Sequence, residues 1–363
     1  MNGQSHVAAQ SGSIAPASAT VFERLGLDGP LTIFGGPVYW LLFVLALAAA
    51  LLFPLYGSVF AALNFTNFLI NVPLALGLAL LWGYCGVLSF GQVAFFGIAG
   101  YAYGVMAINW GMGSATLLAA FCALGLTALV AAAFGYFLFY GRVSGWIVPV
   151  LTLVFTLVLE TFLGQTAGME WKIGEAPLGG FNGMTNIPSL TAGTISFDGF
   201  SLPLFYLVII LVAGILVGLR MLANSHFGHV IMAIQEDPER AELLGYDIRR
   251  YQLVVFTIAG FLAGLSGVLY ATWGNFIQPS SVGLLAATFP VLWAAVGGRR
   301  SLTSVLIGTI ALASLSDALA VYSGELAFVV MGALLLFGMM AAPDGIVITI
   351  LRFLTKLVGR KSR

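Results

Sequence analysis

Three pairs of uncharged polar residues stand at helical spacing inside otherwise apolar stretches. Asn67 and Asn71 are four apart, Ser89 and Gln92 three apart, and Thr152 and Thr156 four apart. Residues at these separations share one helix face, so each pair offers two hydrogen-bonding groups in one direction. Uncharged amides and hydroxyls would hold a small polar or zwitterionic solute weakly and release it again, as the wall of a passage must. The same groups can instead join helices, at about 0.6–2 kcal/mol per contact. Two carboxylates, Glu160 and Asp317, also lie in apolar stretches. Burying a charge there is costly, which makes both functional candidates. Each sits in the outer half of its stretch, where that cost falls, so packing or an outer gate fits as well as transport.

Other chemistry is missing. A phosphate-cradling G-x-x-x-x-G-K-[ST] loop is absent: the chain has three lysines, and in Gly359-Arg360-Lys361-Ser362 an arginine occupies the required glycine position. His226 and His229 have no cysteine or carboxylate at ligand spacing, and Cys85 and Cys122 lie in apolar context, which excludes a zinc site or a disulfide framework. No catalytic triad can be assembled. The expectation is a protein that is not an enzyme and needs no cofactor or metal. Ion-coupled carriers need titratable or coordinating groups near the membrane midplane, and charge is nearly absent there. Energy is therefore expected to come from outside the chain.

Composition defines the medium. Of 363 residues, 60% are apolar and 8% are charged, against about 25% charged in soluble domains. Fourteen basic and fourteen acidic side chains cannot cover a soluble globule of this length, and the mean hydropathy is +1.03. The net charge of zero and the lack of a basic stripe exclude nucleic acid as a partner. The chain is a polytopic membrane protein, with the lipid bilayer as its solvent.

A hydrocarbon core about 30 Å thick needs about 20 apolar residues per helix. That ruler gives ten spans, at 37–56, 60–82, 90–108, 114–139, 145–164, 202–223, 252–273, 284–296, 302–321 and 325–343. The eighth is short and the third is loosened by Gly91, Gly97 and Gly100, so both are expected inside the bundle rather than facing lipid. Gly260, Gly264 and Gly267 in the seventh span suit close helix packing. Basic residues gather in the 224–251 loop with Arg220, Arg240, Arg249 and Arg250, at Arg142, at Arg299-Arg300, and after Pro343. Ten spans put all four places on the side of the N-terminus, which makes both termini cytoplasmic. Residues 1–36 read as a poorly ordered cytoplasmic tail without a signal peptide, 37–345 as the transmembrane domain, and 346–363 as a basic cytoplasmic tail.

The 224–251 loop carries a short helix with clear ends. Asp237 is an N-cap, Pro238 suits the first helical position, Glu239 favours the first turn, and Gly245 is a stop. The helix is about seven residues, or about 10 Å, long. Such a helix can be an idle connector or a docking element.

Five separated motifs give the chain a family resemblance. Gly83-Tyr84-Cys85-Gly86-Val87-Leu88-Ser89-Phe90-Gly91-Gln92-Val93-Ala94-Phe95-Phe96-Gly97-Ile98-Ala99-Gly100-Tyr101 resembles the signature of the ABC-importer permeases for branched-chain amino acids. Leu178-Gly179-Gly180-Phe181-Asn182-Gly183-Met184-Thr185, the 228–251 loop, 259–267 and Val296-Gly297-Gly298 continue the match in order, over about residues 60–345. The resemblance implies an all-α bundle of about ten transmembrane helices, and a coupling helix that docks on an ATPase through Glu236, Pro238, Glu239, Glu242, Leu243 and Gly245. It also implies a second permease chain, two ATP-binding cassette subunits, an extracytoplasmic solute-binding protein and a plasma (inner) membrane location. In that setting Asn67, Asn71, Ser89, Gln92, Thr152 and Thr156 are the expected translocation pathway. Two positions depart from the pattern: Phe289 replaces a usual glutamate, and Arg300 replaces a glycine. The closely related urea and short-amide permeases look similar, through 244–247 and 293–299. The expected function is ATP-driven import of branched-chain amino acids, with urea or short amides as the alternative solutes and an ion-coupled carrier as the rival mechanism.

Overall fold

The computed structural model describes residues 34–360 except 112, 114, 142, 144, 169 and 343, together with 22, 26–29 and 32. Of the expected tail over 1–36, residues 1–21, 23–25, 30, 31 and 33 lie outside the described residues, as do Arg142 and the last basic residues Lys361 and Arg363. Leu27, Asp28 and Phe34, by contrast, are held in place by hydrogen bonds from Arg220.

The architecture is an all-α bundle. Its helices are α1 (Pro37–Tyr56), α2 (Val59–Ile70), α3 (Val72–Leu78), α4 (Gln92–Trp110), α5 (Ala115–Tyr140), α6 (Val148–Gln165), α7 (Leu202–Asn224), α8 (His226–Glu236) and α9 (Pro238–Leu243). They continue with α10 (Ile248–Gly274), α11 (Leu284–Gly297), α12 (Leu302–Ala320), α13 (Gly324–Ala341) and α14 (Ile346–Arg360). Among the described residues eight apolar stretches are long enough to cross a membrane, and α11 and α13 are shorter apolar helices, so every one of the ten expected spans has its helix.

Three departures from the simple span pattern have local causes. The second span is broken: α2 ends at Asn71, α3 starts beyond it, and a π-helical turn, Ala79–Tyr84, closes the stretch. Pro73 has no N–H to continue the α2 ladder, and the Leu74 N–H is instead taken by Ser266 Oγ at 3.0 Å. The 224–251 stretch is not a loop with one short helix but a run of helices, because Ser225 caps α8 and Asp247 starts α10 a turn earlier than hydropathy suggests. Residues 346–360 form a helix, seated with Ile348 against Gly298.

Small residues set the packing around α10. A Cβ on Gly267 would stand 2.0 Å from the Phe96 carbonyl of α4, and one on Gly260 would stand 2.6 Å from Ala131 of α5. Helices approach this closely where lipid supplies no hydrophobic drive for association. Both α4 and α11 are largely buried, as their shortness or glycine content leads one to expect.

Short strands organise the 166–201 segment. Hairpins join β1 (Lys172–Ile173) to β2 (Ala176–Pro177), and β4 (Leu190–Ala192) to β5 (Ile195–Phe197). Between them β3 (Met184–Thr185) pairs antiparallel with β6 (Phe276–Ile277), with Met184 opposite Ile277. Gly183, at φ 77°, passes so close to β6 that a Cβ would stand 2.3 Å from the Ile277 carbonyl. Asn275, itself left-handed, donates to Ile187 O at 2.8 Å and Ser189 Oγ at 2.7 Å. The segment after α6 is thereby fixed to the segment after α10, two connections that the span count puts on one side.

Candidate functional site

A cavity of about 360 Å³ opens between the broken second span, α11 and α12. Asn67, Phe68, Asn71 and Leu74 form one wall, Ala286, Phe289, Pro290 and Trp293 of α11 a second, and Ala313, Ser316, Asp317 and Ala320 of α12 a third. Val93, Phe96, Tyr270 and Ser281 complete the lining. The helix break puts Asn71 on this wall, where its Nδ2 donates to Asn67 O at 2.9 Å. Pro290 leaves the Ala286 carbonyl without its helical N–H partner, again on the cavity side. Phe289 and Trp293 stack with centroids 5.9 Å apart, and Phe96 lies 5.4 Å from Tyr270. The cavity thus combines one carboxylate, two amides and two serine hydroxyls with an aromatic side.

The six candidate pathway residues fall into two groups. Asn67 and Asn71 line the cavity. Ser89, Gln92, Thr152 and Thr156 are buried behind it. Thr152 Oγ1 accepts from Phe90 N at 3.1 Å and donates to Pro149 O at 3.0 Å, and Thr156 Oγ1 reaches Phe90 O at 3.3 Å and Thr152 O at 3.0 Å. The threonine pair therefore grips the 89–91 turn that starts α4. Ser89 Oγ accepts from Gly91 N at 3.1 Å in the same turn. Gln92 is 0% exposed, and neither atom of its amide has a hydrogen-bond partner among the described residues. It stands beside Val93, which does line the cavity.

Of the two carboxylates in apolar stretches, Asp317 joins the cavity wall and is exposed. Glu160 does not: it packs against Gly283, ahead of α11. The aromatic wall and Ser281 and Ser316 were not among the residues that sequence reasoning singled out. Phe289 had a signal, as a departure from the family pattern, whereas the serines had none.

The second site is the α8–α9 projection. Asp237 Oδ1 accepts from Arg240 N at 3.0 Å, which caps α9 as its residue type demands. Gly245, at φ 91°, ends the turn; its N–H reaches Glu242 O at 2.9 Å while Tyr246 N reaches Ala241 O at 3.2 Å. Ala241 is buried against Val230 and Ile234 of α8. Glu236, Glu239 and Glu242 are exposed, and Leu243 and Leu244 are 88% and 72% exposed at the tip. Two exposed leucines share this small projection with three exposed carboxylates and the exposed Arg240, which pairs with Asp237 at 3.3 Å.

The sequence matches the family described as "Branched-chain amino acid transport system / permease component" over residues 60–339. Among its relatives is the probable branched-chain amino acid transport permease protein LivH of Methanocaldococcus jannaschii, 23% identical over 158 residues, 44% of this chain and 49% of that protein. The L-arabinose ABC transporter permease protein AraH of Azospirillum brasilense is 26% identical over 129 residues, 34% of this chain and 37% of that one. The nucleoside ABC transporter permease protein NupC of Lactococcus lactis is 29% identical over 149 residues, 39% and 43% of the two chains. The chain thus spans half or less of the length of these relatives. No solved structure matches it significantly.

Proposed function

The chain belongs to the branched-chain amino acid transport system permease family, as an ABC permease component and a multi-pass membrane protein, and on that premise we propose that it forms the translocation path of an ATP-driven importer for branched-chain amino acids. It pairs with a second permease chain, two ATPase subunits and an extracytoplasmic binding protein, with both termini on the cytoplasmic side of the plasma membrane. ATP-driven closure of the ATPases moves the α8–α9 projection and rocks the two permease halves around the passage.

One observation carries this reading: the exposed Asp317 stands on a cavity wall with Asn67 and Asn71. A carboxylate on a spanning helix is costly against lipid. This face of the bundle therefore suits water or another protein chain, which is where a second permease would complete a pathway. The lining also fits a zwitterion with an apolar side chain. Asp317 attracts an ammonium group, an asparagine amide can donate to a carboxylate, and Phe289 with Trp293 offers an apolar face. A neutral amide such as urea has no need of the carboxylate. Urea and short amides remain the second reading, favoured by 244–247 and 293–299, where the chain resembles the permeases for those solutes.

The test is uptake by the assembled transporter carrying Asp317→Asn. Leucine and valine uptake should fall with a raised half-saturation concentration while complex assembly is unchanged. Urea uptake that exceeds leucine uptake, and is indifferent to Asp317, would transfer the assignment to the second reading.

A further inference from the structure

One side chain links the docking projection to the segments that continue the cavity walls. Gln235 is the penultimate residue of α8, two positions before the Asp237 cap of α9. With its amide turned so that both atoms find partners, its nitrogen donates to Gly83 O at 3.2 Å and its oxygen accepts from Arg300 Nη2 at 3.1 Å. Its stem lies against Gly86, where a Cβ would stand 3.0 Å from Gln235 Cγ.

Gly83 lies in the π-helical turn that ends the second span, and carbonyls at a helix end lack partners within the helix. Arg300 lies in the connection between α11 and α12. These two segments also touch each other directly. A Cβ on Gly83 would fall 1.8 Å from the Arg299 carbonyl, so the backbones abut. Tyr84 donates its hydroxyl to Arg300 O at 3.2 Å, and the Arg299 guanidinium lies 4.8 Å from the centre of the Trp82 ring.

The second span, α11 and α12 are the same three elements that form the main walls of the cavity. Gln235 therefore contacts the end of the second span and, through Arg300, the connection that joins the other two walls. On its other side α8 is one unit with α9, because only Asp237 separates them and Ala241 packs on Val230 and Ile234. A π-helical turn is an uncommon element, frequent at functional sites, and here it takes the contact.

We propose that Gln235 is the positioning residue that transmits displacement of the docking helix to the cavity walls, through Gly83 O and the Arg300 guanidinium. The assignment rests on the reading of α9 as the ATPase-docking element, and it concerns transmission rather than docking. Arg300 acquires a role with it, as the donor that holds the Gln235 oxygen.

The experiment uses the full transporter in proteoliposomes and reads three quantities: ATPase retained on purification, ATP hydrolysis, and solute moved per ATP. Gln235→Leu keeps the approximate size of the side chain and removes both hydrogen bonds; Arg300→Leu removes one partner at an exposed position. Each variant should retain its ATPase and hydrolyse ATP, with solute moved per ATP reduced at least about fivefold, the lower end of typical coupling between sites. The double variant should be no worse than the more impaired single one, because both changes break one contact. Gln235→Glu, which still accepts from Arg300, should fall between the wild type and Gln235→Leu. Unchanged solute per ATP in Gln235→Leu and Arg300→Leu overturns the proposal, as does strict additivity of the two. Loss of the ATPase from the Gln235 variants would make the residue a docking contact and also overturn it. A wild-type complex that never binds an ATPase would instead overturn the reading on which the proposal rests.

Discussion

The Arg220 guanidinium, 3% exposed at the end of α7, pairs with the Asp28 carboxylate at 2.9 Å. Arg220 also donates to Phe34 O at 2.6 Å and Leu27 O at 3.2 Å, and its guanidinium carbon lies 4.2 Å from the centre of the Tyr39 ring. One cation thus fastens the segment before α1 to the far end of α7. A basic residue counted in the sequence only as a marker of sidedness proves to be a structural anchor.

Removing one member of a buried pair leaves the other as an uncompensated charge, at a cost of about 3–5 kcal/mol. Arg220→Ala should lower the unfolding temperature of the purified chain in detergent clearly. The double variant with Asp28→Ala should recover part of that loss, since no orphan charge remains. A thermal scan in which the double variant is worse than the single one would contradict this account of the anchor.

Gln92 presents the opposite situation, a buried amide with no partner among the described residues. Such a group costs about 1–3 kcal/mol in desolvation. Gln92→Leu should therefore leave the unfolding temperature unchanged or raised, yet cut uptake if the amide serves the passage. Higher stability with full uptake would return Gln92 to a purely structural place.

The α9 tip allows a test that leaves every span intact. Reversing the charge of Glu239 and Glu242 and replacing Leu243 with a polar residue should detach the ATPase or uncouple it from uptake, because a surface this small depends on few residues. The chain should still insert, with α9 keeping its Asp237 cap. Co-purification of the ATPase at the wild-type ratio, together with normal transport, would move the docking site to the Arg299-Arg300 connection.

Much of the fold was legible because its determinants are local. Twenty apolar residues specify a span, and the Asp237-Pro238 start with the Gly245 stop specified α9 to within a residue. Asn67 and Asn71 were legible as a pair, but not their partner on the cavity wall, Asp317, which comes from α12, nor the aromatic face of α11. No spacing rule brings residues so far apart in the chain together. Thr152 and Thr156 had the same signature as the asparagines, and only the packing of α6 on the 89–91 turn separates the two cases. The break at Asn71 was present in the sequence as Pro73, masked by a hydropathy window that averages across it. Gln235 carried no signal at all, since its two partners lie in other elements.

The central claim is that this chain is the passage of an ATP-driven importer. The most direct measurement is leucine uptake into proteoliposomes that hold the chain with its second permease, ATPases and binding protein, with ATP supplied or withheld and ion gradients collapsed. The account predicts uptake that requires ATP and the binding protein and is indifferent to the gradients. Uptake that persists without ATP and follows an ion gradient would contradict it.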